Sequence, residues 1–142
     1  MNYRNTVLNV DLTAIKHNYN IYKKETSKHV FAVVKANAYG LGLVDVAKYF
    51  ESIDVPYICI ATLDEAVTLR KSGVRSPLLV MGHVSSQHLQ TVKQYNITIT
   101  LPSLSYISEI QTKEISGFNI HIKVKMSMNR IGLDGFPEVK EA

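Results

Sequence analysis

The chain has 142 residues, 46% of them hydrophobic and 20% charged, with a formal net charge of +4 and a mean hydropathy near zero. That balance describes a globular chain. No apolar run approaches the roughly 20 residues that cross a bilayer, so no membrane partner is expected. The lysines are scattered and form no basic stripe interleaved with aromatics, which speaks against nucleic acid, and His17, His29, His83, His88 and His121 lack metal-ligand spacing.

Met1-Asn2-Tyr3-Arg4-Asn5 lacks the apolar core of a signal peptide. Thr6–Val10 alternates weakly and predicts a short strand. Asp11 or Thr13 can cap the helix that follows, in which Leu12, Ile15, Tyr19 and Tyr22 recur at helical spacing. Val30–Val34 is apolar and β-branched, a buried strand with Lys35 where it ends. Asn37, Gly40 and Gly42 make a turn, and Leu43, Val46, Ala47 and Phe50 mark the next helix face. Tyr57–Ala61 is the second such strand. Cys59 lies within it, the only cysteine, expected as a small buried hydrophobe in a cytoplasmic protein.

Thr62-Leu63-Asp64-Glu65 has the form of a capping box. Its helix should run to about Ser72 and stop at Gly73. Pro77–Met81 predicts a third strand ended by Gly82. A helix follows with Leu89 and Val92 on its face, capped by Ser85 or Ser86. Ile97–Leu101 is a fourth strand, Leu104, Ile107 and Ile110 mark a short helix, and Phe118–Met126 is a fifth strand. Pro137 suits the first turn of a last helix.

Strands and helices therefore alternate from residue 30, which calls for an α/β fold with a parallel sheet and helical crossovers in one undivided domain. A doubly wound open sheet and part of a (β/α)8 barrel both fit that alternation. The fifth strand favours the barrel. Ile120, Ile122, Val124 and Met126 share one parity, and His121, Lys123 and Lys125 share the other. A polar face is poorly accepted under helices but suits a barrel lumen. By the same parity Phe31, Val33 and Lys35 lie on one face.

Ligands of α/β folds bind at the C-terminal ends of the strands. Lys35 sets an amine there, among apolar neighbours that favour its use as a nucleophile. The turn behind it offers backbone N–H groups and the Tyr39 hydroxyl to an anion such as a phosphate.

Val34-Lys35-Ala36-Asn37-Ala38-Tyr39-Gly40-x-Gly42 resembles the cofactor attachment motif of alanine racemases, with Leu41 where the family usually has His. The resemblance implies pyridoxal 5'-phosphate as cofactor, Lys35 as the catalytic lysine that holds it covalently, and Tyr39 as a ligand of its phosphate. Ile122-Lys123-Val124-Lys125-Met126-Ser127-Met128-Asn129-Arg130-Ile131-Gly132 resembles a second signature of the family. There Arg130 would contact the cofactor ring oxygen and the substrate carboxylate, and Lys123 matches a lysine that is often carbamylated. Carbamylation would make Lys123 an anion able to fix the Arg130 fork. Lys125 departs from a usual acidic residue, Met126 from Thr and Ser127 from Gly. Ala61-Thr62-Leu63-Asp64-Glu65-Ala66, with Leu69-Arg70, also looks like the family's stretch after its second barrel strand.

The fold so implied is the N-terminal part of a (β/α)8 TIM barrel, about five strands, preceded by a short strand and helix. On this reading residues 1–142 are an incomplete barrel domain, without the rest of the barrel or the family's second, β-rich domain. The parent would be a cytoplasmic homodimer interconverting L- and D-alanine, the latter for cell-wall peptidoglycan, and residues 1–142 alone would be inactive. The alternatives are a non-catalytic pyridoxal-phosphate-binding protein on the same barrel, or a racemase of other amino-acid specificity.

Overall fold

The structure is a computed structural model and describes residues 5–111 and 117–142. Five strands, β1 (Ala32–Val33), β2 (Ile58–Ile60), β3 (Leu78–Val80), β4 (Thr98–Leu101) and β5 (Ile120–Ile122), form one sheet in the order β1-β2-β3-β4-β5. All neighbours pair in parallel. Between them run α3 (Leu43–Ser52), α4 (Leu63–Lys71), a 3-10 turn at Ser86–His88 leading into α5 (Leu89–Gln94), and α6 (Leu104–Gln111). α1 (Leu12–Thr26) precedes the sheet, α2 (Lys35–Tyr39) is a single turn after β1, and α7 (Gly135–Glu141) follows β5.

The strand order never reverses, so each crossover advances the sheet in the same direction. That is the winding of a barrel and not of a doubly wound sheet. The sheet is also curled. The rings of Phe31, just before β1, and His121, on β5, stand 6.4 Å apart. Four inter-strand steps would separate them by about 19 Å in a flat sheet. Tyr57 closes the group, 5.0 Å from Phe31 and 5.3 Å from His121 between ring centroids.

Register sorts the two faces. Ala32 pairs with Ile58, Ile58 with Leu78, and Ile99 with Ile120. These residues, with Val34, Ile60, Val80 and Leu101, point toward the helices, and all but Ile120 are buried in the core. Val33 pairs with Cys59, Leu79 with Thr98, and Thr100 with His121. This second set lines the concave face together with Phe31, as the parity of the first and fifth strands predicts.

The helices begin and end for local reasons. Asp11 caps α1, its carboxylate accepting the amides of Thr13 and Ala14 at 2.8 and 3.2 Å. Tyr19 fixes that helix, its ring edge-on to Phe50 of α3 and its hydroxyl donating to the Val30 carbonyl. The predicted capping box forms: the Thr62 hydroxyl accepts the Glu65 amide and Glu65 accepts the Thr62 amide. At the N-terminal ends of the strands, the Arg70 guanidinium donates to the carbonyls of Val74, Ser76, Tyr95 and Asn96. It thereby ties the segments entering β3 and β4.

Two predicted elements differ. Thr6–Val10 forms no strand. A strand exists by pairing, and among the described residues no strand pairs with this run. The fifth strand is shorter than Phe118–Met126, because the chain turns back after Val124, which makes a single parallel bridge with Leu133.

Candidate active site

The C-terminal ends of β1, β2, β3 and β5 surround a cleft of about 320 Å³, lined by Lys35, Ala61, Met81, Gly82, Lys123, Met128, Arg130 and Ile131. Lys35, Lys123 and Arg130, the sequence-predicted basic residues, thus meet in one place. Gly82 is required at the floor, since a β-carbon there would stand 2.4 Å from the Ala61 carbonyl oxygen. The Lys123 amine donates to the Met81 carbonyl at 3.0 Å, and the Thr100 hydroxyl donates to the Gly82 carbonyl at 3.3 Å. The lining carries three cationic side chains and no carboxylate, which suits an anionic ligand.

Behind Lys35 the backbone is left-handed. Ala36, Asn37 and Ala38 have φ of +52°, +55° and +51°, and Tyr39 has +54°. For non-glycine residues this conformation costs roughly 1–2 kcal/mol each, and such strain persists only where the surroundings enforce it. The turn is held by the Ala38 amide on the Val34 carbonyl, at 2.8 Å, and by the Gly40 and Gly42 amides on the Asn37 carbonyl, at 3.0 Å each. The Asn37 side-chain oxygen accepts the Leu43 amide at 2.9 Å. Glu65 reaches in from α4 and accepts the Ala36 amide at 2.6 Å. In the sequence Glu65 signals only a helix cap; its reach to Ala36 depends on β1 and β2 being neighbours, which no local pattern displays.

Tyr39 is 65% exposed and does not line the cleft. Arg130 comes to the cleft on the returning chain. The Leu133 amide donates to the Lys123 carbonyl at 2.7 Å and the Lys125 amide to the Leu133 carbonyl at 2.9 Å. Lys123 and Arg130 share the cleft without a bond between them, Lys123 being engaged by Met81. Lys125 is paired with Asp134 at 2.8 Å.

A second cleft, about 380 Å³ beside Arg70, Arg75, Gln94, Tyr95 and Asn96, lies at the opposite ends of the strands. Its Arg70 guanidinium is already spent on four carbonyls. Cys59 offers no nucleophile, because burial pushes its thiol up to about 11. Among the described residues there is no cluster of three His, Cys, Asp or Glu able to hold a metal, and no helix long and apolar enough to cross a membrane.

A sequence profile described as "Alanine racemase, N-terminal domain" matches residues 10–142. The chain is 39% identical over 145 aligned positions to the alanine racemase of Staphylococcus saprophyticus, covering 98% of this chain and 38% of that protein. It is 43% identical over 135 positions to that of Streptococcus agalactiae, covering 92% and 37%. Among solved structures it is similar to the alanine racemase of Bacillus anthracis with bound L-Ala-P, at a TM-score of 0.85 and 32% identity over 99% of this chain and 37% of that one. The chain thus spans little more than a third of the length of these relatives. The cleft, the strand order and these likenesses agree: the chain belongs to the alanine racemase family and corresponds to its N-terminal, TIM-barrel domain.

Proposed function

We propose that this chain is the lysine-bearing part of a pyridoxal-phosphate-dependent alanine racemase, a cytoplasmic homodimer that makes D-alanine for the cell wall. The observation that carries the proposal is the convergence of Lys35, Lys123 and Arg130 on one cleft, although they are up to 95 positions apart in the sequence (130 − 35). The residues present fit the cofactor. Lys35 supplies an amine for its aldehyde, the cationic groups suit its anionic oxygens, and Met81, Met128, Ile131 and Gly82 offer a wall for a flat ring. When bound, the cofactor supplies an electron sink for the charge left on Cα when a proton departs.

Within that scheme Lys35 anchors the cofactor and moves one proton at the substrate Cα. Arg130, whose guanidinium has no hydrogen-bond partner among the described residues, takes the substrate carboxylate in two-point fashion. Lys123 is the candidate for carbamylation, which would exchange its bond to Met81 for one to Arg130. Tyr39, which is exposed and outside the cleft lining, keeps the phosphate-binding role that its motif implies. The test is to incubate the protein with pyridoxal 5'-phosphate, reduce with borohydride and map the label. The expected site is Lys35, and the label should vanish in Lys35→Ala. Label on another lysine, or label undiminished in that variant, overturns the assignment.

A further inference from the structure

We propose that Glu65 is a positioning residue for Lys35: a carboxylate on α4 closes the end of β1 and thereby sets where the lysine amine stands. The inference rests on the role just given to Lys35. The ladder from β1 to β2 runs through the amides of Ala32 and Val34, which donate to the carbonyls of Tyr57 and Cys59. By that spacing, the next rung would join the Ala36 amide to the Ala61 carbonyl. It is not made. The Ala61 carbonyl accepts the Gly82 amide at 3.2 Å, and Ala36 has already turned to a φ of +52°.

Glu65 takes the place of the missing acceptor. Its Oε1 accepts the Ala36 amide at 2.6 Å, while its Oε2 accepts the amides of Ala61 at 2.8 Å and Thr62 at 3.2 Å. One side chain therefore joins the residue after Lys35 to the residues after β2. The chemistry calls for a carboxylate. Three N–H donors converge on two oxygens, and an amide side chain would turn one of those oxygens into a competing donor. Lys35 is then bracketed by Val34, bonded into the sheet, and by Ala36, bonded to Glu65. The left-handed run begins at Ala36, so this anchor holds its first residue.

The test compares the chain 1–142 with Glu65→Gln and Thr62→Val. The Thr62 hydroxyl accepts the Glu65 amide at 3.3 Å, so Thr62→Val weakens the same helix cap without touching Ala36. The first readout needs no cofactor: hydrogen exchange of the Ala36 amide by NMR. The second is the concentration of pyridoxal 5'-phosphate giving half-maximal borohydride-trapped label on Lys35. We expect Glu65→Gln to speed exchange at Ala36 and raise that concentration about tenfold each, with Thr62→Val changing both by less than about threefold. Equal exchange at Ala36 in the two variants, or an unchanged trapping concentration in Glu65→Gln, refutes the proposal. A wild-type chain that takes no label on Lys35 defeats the proposed function instead, and the exchange comparison still decides whether Glu65 holds the turn. If Glu65→Gln does not fold, Glu65→Asp keeps the charge but shortens the reach, and the same readouts and outcomes apply.

Discussion

Gly132, after β5, and Tyr39, in the turn after Lys35, both have a positive φ, for different reasons. A β-carbon at Gly132 would lie 2.8 Å from the Lys123 oxygen, the Lys125 nitrogen and the Val124 carbonyl carbon. Only glycine lets the returning chain press against the end of β5 and deliver Arg130. Tyr39 keeps a positive φ although it is not glycine, and its exposed hydroxyl has no partner among the described residues. That leaves the hydroxyl available to a ligand. If it binds the cofactor phosphate, Tyr39→Phe removes one hydrogen bond to an anion, about 1.5–3 kcal/mol. Cofactor affinity should then fall roughly 10- to 100-fold, read by equilibrium titration. An unchanged dissociation constant would show that the ring only packs. Lys125 pairs with Asp134, so its positive charge is compensated.

At the scale of elements, Glu51 at the end of α3 gives the fold a pH dependence. Burial pushes its carboxyl up, but the amides of Arg75 and Ser76, the Ser76 hydroxyl and the charge of Arg70 outweigh that and hold it below the ordinary value of 4.5. A depressed carboxyl stabilises the fold above its unfolded value, and the contribution is lost as pH falls through the folded one. The melting temperature should therefore decline more steeply below about pH 4.5 in the wild type than in Glu51→Gln. Parallel acid profiles for the two proteins would remove Glu51 from the account. Much of the element plan is legible in the sequence, because it rests on local patterns: β-branched runs between helical repeats, the Thr62–Glu65 box, and the split parity of the fifth strand. Thr6–Val10 misleads because alternation marks a strand only where a neighbour exists to pair with it. A turn after Lys35 is legible from Asn37, Gly40 and Gly42, but the left-handed course of residues 36–39 is not. Its residues are alanine, asparagine and tyrosine, and long-range bonds such as Glu65 to Ala36 hold them there against local preference.

For the whole molecule, the arc of five strands brings the cleft together but furnishes few ionisable groups in it. Of the lining residues only Lys35, Lys123 and Arg130 ionise, and Lys123 is engaged by the Met81 carbonyl. Racemisation removes a proton from one face of Cα and returns one to the other. Lys35 can serve one of those faces, and under the proposed function the second group comes from outside residues 1–142. The chain alone, saturated with pyridoxal 5'-phosphate, should make D-alanine far more slowly than a full-length racemase of the family. Activity within about tenfold of such an enzyme, a barrier difference of only ~1.4 kcal/mol, would contradict this.

The unreversed strand order also bears on how the molecule is assembled during synthesis. Each strand pairs with the one made just before it, so the sheet can grow as the chain leaves the ribosome, no strand waiting for a distant partner. The cleft obeys a different clock. Arg130 is synthesised 95 residues after Lys35, a delay of roughly 5–20 s at ordinary elongation rates. During that interval the scaffold around the lysine can already be in place, while the arginine meant to face it has yet to be translated.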